Sequence, residues 1–113
     1  MADEAADFGG HGGPQLDAVA FLGVTDQNAY RTALGKAYAK DIAKKLAALG
    51  LQAHGKAYMV RLTLASDGSA KKVEILTDEV NDAKARKIIE DGFKKIKLPA
   101  PGKEAALVFY IRF

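Results

Sequence analysis

Two periodicities take turns along this chain and mark its elements. Residues 57–65 switch between apolar and polar side chains at nearly every step: Val60, Leu62 and Leu64 share one face, and Met59, Arg61 and Thr63 the other. A period of two is the mark of a half-buried β-strand. Ser66-Asp67-Gly68-Ser69 follows, and Asp-Gly tolerates the positive φ that a tight hairpin needs, so residues 71–77 read as the return strand with Val73 and Ile75 turned inward. Residues 105–113 read as a further strand, rich in β-branched and aromatic side chains and entered through Leu98-Pro99-Ala100-Pro101-Gly102. Its inward face carries Leu107, Phe109, Ile111 and Phe113; Val108, Tyr110 and Arg112 point the other way.

The second periodicity is helical. Tyr30, Leu34, Tyr38, Ile42, Leu46 and Leu49 recur every three or four positions, an apolar stripe that predicts a helix over about 27–49. Thr25-Asp26-Gln27-Asn28 supplies N-cap residue types, and Gly50 stands where a C-cap is expected. Ile88, Ile89, Phe93 and Ile96 predict a second helix over about 82–96, capped by Asn81 or Asp82, with Lys94, Lys95 and Lys97 complementing its C-terminal dipole. The order α-β-β-α-β predicts an α+β fold: a small three-stranded antiparallel sheet with two helices packed on one face. Residues 16–24 are mildly apolar and leave open an additional N-terminal strand, which could lie along the sheet edge in cis or between two copies and so occupy a partner's place.

Composition bounds the chemistry. The chain of 113 residues suffices for one domain, and no apolar run approaches the ~20 residues of a membrane span. Residues 1–15, acidic and interrupted by Gly9-Gly10, Gly12-Gly13 and Pro14, read as a flexible tail or linker, leaving 16–113 as the domain. Cysteine is absent, which excludes disulfides and thiolate chemistry. Charge is divided: residues 1–29 hold five acids and no Lys or Arg, whereas 30–113 hold all 17 basic residues. His11 and His54 lack the spacing of a zinc site, and the carboxylate pairs Asp78/Glu79 and Glu90/Asp91 read as solvated charge. No P-loop, no nucleophile elbow and no catalytic constellation is present, so no enzyme activity, cofactor or metal is expected. The lysines of both helices, with Tyr58, Tyr110 and Arg112 as stacking groups on an open sheet face, admit a nucleic-acid or anionic-surface binder as the alternative reading.

One family is similar in the order and spacing of its elements. Gly55-x-x-Tyr58-x-Val60-x-Leu62-x-Leu64-x-x-Asp67-Gly68-Ser69-x-x-x-Val73-x-Ile75, then a helix of about fifteen residues, then Lys97-Leu98-Pro99-Ala100-Pro101 and a closing strand, resembles the C-terminal domain of the TonB and TolA energy transducers over about 30–113. The Leu-Pro-x-Pro junction and the long first helix are closer to the TolA type; the choice between the two stays open. The cysteine pairs of some TolA domains are missing. The resemblance implies a periplasmic, non-enzymatic module of a protein anchored in the inner membrane through a segment missing from this chain. Its partner would be an extended segment of an outer-membrane receptor or a Tol-type periplasmic protein, held by β-strand addition while force from an inner-membrane motor is transmitted. A monomer or a strand-exchanged dimer would serve.

If the closing strand is a sheet edge, its free N–H and C=O groups are the natural acceptor. The residues expected to meet the partner, on that edge strand and its outward face, are Ala106, Val108, Tyr110, Arg112 and Phe113.

Overall fold

The structure, a computed structural model, describes residues 13–113. Strand β1 (Gln15–Leu22) leads into helix α1 (Gln27–Ala37), which continues without a break through a π-helical turn (Tyr38–Ile42) into α2 (Ala43–Ala48). The hairpin strands β2 (Ala57–Leu64) and β3 (Ala70–Asp78), helix α3 (Ala83–Lys94) and strand β4 (Ala105–Arg112) complete the chain. The fold is α+β, and its sheet has four antiparallel strands in the order β1-β4-β2-β3.

The additional N-terminal strand that the sequence left open is present: residues 15–22 pair along the whole of β4, from Gln15 opposite Arg112 to Leu22 opposite Ala106, and bring the sheet to four strands. The domain therefore starts before residue 16: Pro14 is buried and its carbonyl accepts a hydrogen bond from the Tyr38 hydroxyl. Gly13 is fitted closely too, since a Cβ there would stand 3.0 Å from the Ala43 carbonyl oxygen. The rest of the expected N-terminal tail, with His11, lies outside the described residues.

One face of the sheet builds the core. Val60, Leu62 and Leu64 of β2 and Leu107, Phe109 and Ile111 of β4 are fully buried there, as the alternation requires, with Val73 and Ile75 packed at its margin. Tyr58 shares this face and is fully buried. The helices close the core from above: Tyr38 stacks on Phe93 at 6.3 Å between ring centroids, and Phe93 leans on Phe109 at 4.9 Å. Helices α1 and α3 start where a carboxylate caps them, Asp26 accepting from the Ala29 N–H and Asp82 from the Ala85 N–H.

The π-helical turn follows from the stripe itself. Tyr30, Leu34, Tyr38, Ile42 and Leu46 stand four residues apart, and all five are buried. In a helix of 3.6 residues per turn, each four-residue step overshoots by about 40°, so a regular helix would carry the stripe off the sheet. One looser turn over Tyr38–Ile42 removes most of that rotation and keeps Leu46 inward. Ile42 then seats against α3 where Gly92 leaves room; a Cβ at Gly92 would come 2.6 Å from Ile42 Cγ1.

Candidate functional site

The sheet's second face is not covered by helices. Ala106, Val108, Tyr110 and Arg112 of β4 open onto it beside Met59, Arg61 and Thr63 of β2. Cross-strand pairing aligns them in rows: Ala20, Val108, Arg61 and Glu74 form one, and Asp17, Tyr110, Met59 and Thr77 the next. The charged groups on this face hold one another. Arg112 Nε donates to Asp17 Oδ2 at 2.7 Å while its guanidinium lies 4.6 Å from the centroid of the Tyr110 ring. Arg61 Nε donates to Glu74 Oε1 at 2.9 Å, and that bond holds the Glu74 carboxyl below the usual carboxylate range. Such exposed pairs add little stability, but they fix the strand register.

The expected partner residues divide in two. Ala106, Val108, Tyr110 and Arg112 face outward as the alternation requires. They do not lie on an edge: β4 is bonded to β1 on one side and to β2 on the other, so its backbone groups are already paired. Phe113 is turned the opposite way, its ring 6.1 Å from Tyr58 on the core side. Its N–H donates to the Lys56 carbonyl and its carbonyl accepts from the Gly55 N–H. It is part of the core margin, because residue 113 keeps the parity of Phe109 and Ile111. The stacking trio of the nucleic-acid reading is likewise broken up: Tyr58 is inside, and Arg112 already covers Tyr110.

The free edges are β1 and β3, and they differ in character. Three large apolar side chains are exposed among the described residues, Val19 (51%), Leu22 (56%) and Leu76 (44%), and all three are on these two strands. Strand β3 carries Lys71, Lys72, Glu74 and Asp78, charges of the sort that discourage strand pairing. Strand β1 carries one charge, Asp17, and that is neutralised by Arg112. A bulge between Ala18 and Ala20 gives β1 its local bend. Sequence reasoning read residues 16–24 as mildly apolar and residues 1–29 as free of Lys and Arg without joining the two; together they mark β1 as the unguarded edge.

The remaining candidate carboxylates have structural partners. Asp78 Oδ1 accepts from the Val80 and Asn81 N–H groups and Oδ2 pairs with Arg86; Glu79 accepts from the Ala57 N–H. Glu90 and Asp91 make i,i+4 pairs with Arg86 and Lys87. His54 is exposed in the loop before β2. Among the described residues no three His, Asp or Glu side chains converge as a metal site would require, and no helix is long and apolar enough to cross a membrane. Comparison with protein-family models, with characterised proteins and with solved structures gives no match for this chain.

Proposed function

We propose that this domain is a protein-interaction module of an energy-transducing system of the cell envelope. It takes up an extended segment of an outer-membrane or periplasmic partner by adding it as a fifth strand against β1. The observation that carries this reading is the contrast between the edges: β1 offers Val19 and Leu22 and a nearly uncharged backbone, while β3 is studded with charge. Main-chain hydrogen bonds would supply the affinity and the two apolar side chains the selectivity. Force fits the same geometry. Strand bonds run across the strand direction, so a pull along β1 loads them together rather than one after another.

The basic balance of the chain, a net charge of +3, favours encounter with an acidic segment. In this reading the domain works in the periplasm, the full-length protein is held in the inner membrane, and no catalysis is involved. The test is a titration of isotope-labelled protein with synthetic peptides from the periplasmic segments of outer-membrane receptors and Tol-type proteins. Backbone amide shifts are expected to concentrate in Gln15–Leu22 for the peptide that binds. Shifts confined to loops, or to Ala70–Asp78, would refute the assignment of the edge.

A further inference from the structure

The helical layer carries a groove that strand addition does not use. It runs between α1–α2 and α3 with a volume of about 640 Å³. Its floor is aliphatic: Ile42 closes it against Gly92, and Leu49, Ile88 and Ile96 are only half-buried along it. Its rims are basic, with Lys40 and Lys45 on one side and Lys84, Lys87, Lys95 and Lys97 on the other, against two aspartates. Lys87 pairs with Asp91 at 3.2 Å. The other five lysines form no ion pair with another described residue.

We infer that this groove is a second docking surface, and that its occupant is an acidic amphipathic helix of a partner protein. Charge complementarity fixes the sign: only an acidic segment is attracted to both rims at once. The floor fixes the form. Ile42 and Leu49 are seven residues apart along one wall, or about 10 Å of helix axis, and Ile88 on α3 and Ile96 just past its end continue the apolar floor on the other. The Ile42–Leu49 interval matches two turns of a docked helix with apolar residues at i, i+4 and i+7 and Asp or Glu beside them. The lining contains no aromatic ring on which a base could stack and no arginine to clasp a phosphate, which tells against a nucleic-acid strand. The π-helical turn contributes Lys40, Asp41 and Ile42 to one wall, so the irregular part of the first helix belongs to this surface.

The groove is lined wholly by helical residues and the segments that follow them, so it stands or falls separately from β1. The probe is a synthetic peptide of about sixteen residues with Leu at i, i+4, i+7 and i+11 and Glu at the flanking positions, long enough to span the groove. Titrated into the labelled domain, it is expected to move amides in 40–49 and 84–97 and to leave Gln15–Leu22 still. The double variant Lys45→Glu, Lys84→Glu, confined to exposed side chains, is expected to weaken binding on the order of tenfold or more. Ile88→Ser removes floor and no charge, and is expected to weaken it as well. No shift in either helix would overturn the inference. So would equal binding of a scrambled peptide of the same composition, or an oligothymidylate or anionic phospholipid vesicle moving the same amides as strongly.

Discussion

Gly68 and Tyr58 show how single residues lock the sheet to its surroundings. Gly68 adopts φ +90° at the hairpin tip, and a Cβ there would collide with the Leu98 carbonyl oxygen. Its own carbonyl accepts from the Leu98 N–H at 2.9 Å, and Gly102 donates to the Ser66 carbonyl at 3.0 Å. The Pro-rich junction is thus fastened to the hairpin, and to α1 as well, where the Tyr30 hydroxyl donates to the Pro99 carbonyl at 2.6 Å. Gly68→Ala is expected to cost about 2–4 kcal/mol in urea denaturation, combining left-handed strain with a backbone displacement; a loss below about 1 kcal/mol would show that the junction can yield.

Tyr58 has a pH consequence. Burial, reinforced by the nearby Asp78, pushes its phenol up to about 12 from the ordinary 10.0. The folded state therefore holds this proton more tightly than the unfolded chain does. Its contribution to stability is complete below pH about 10 and is lost as the pH rises from there through about 12. Tyr58→Phe is expected to make that alkaline fall in the urea midpoint shallower; an identical fall would assign the effect to other groups. At this scale the sequence was legible wherever parity was followed strictly. Tyr58 shares the parity of Val60 and so belongs inside, and reading it as a stacking group set side-chain chemistry above position; Phe113 shares the parity of Ile111, which placed it inward even as it was named among the partner residues.

Among the elements, the hairpin, both helices and β4 were legible because each repeats its period over several turns or pairs. Strand β1 was only half legible, since Ala18-Val19-Ala20 interrupts the alternation with a bulge, and the edge position exempts it from deep burial. The π-helical turn was written in the stripe of fours from Tyr30 to Leu46, a period that a uniform α-helix does not keep. Deleting exposed Lys40 shortens that spacing to four, four, three, four, which a regular helix satisfies. The deletion is expected to cost less than about 1 kcal/mol by chemical denaturation, because the buried stripe stays in register. Deleting exposed Lys87 from the regular α3 turns the following Ile89 and Phe93 by about 100° and is expected to cost more than about 3 kcal/mol. Equal losses for the two deletions would contradict the stripe of fours as the origin of the π-helical turn.

For the whole molecule, the decisive feature is that β4 is interior and β1 is not. The partner residues were named on the condition that the closing strand forms an edge, a condition the topology does not meet. Apolar character on both sides of a strand instead suits the middle of a sheet, where neighbours bury it. The sequence could not choose between these, because strand order depends on how the N-terminal segment returns, and pattern alone does not fix that. The helical layer presents its lysine-rimmed groove and the sheet its nearly uncharged edge, so the two proposed sites share no residue.

Strand addition at β1 is tested most directly by disulfide trapping, since the chain contains no cysteine of its own. Val19→Cys, and separately Leu76→Cys, would be presented to the bound partner peptide carrying one cysteine walked along its length. A strand paired with β1 should give a sharp maximum of yield with Val19→Cys at one peptide position, the residue opposite it, and low yields throughout with Leu76→Cys. A flat yield along the peptide at Val19→Cys, or equal trapping by Leu76→Cys, would contradict it.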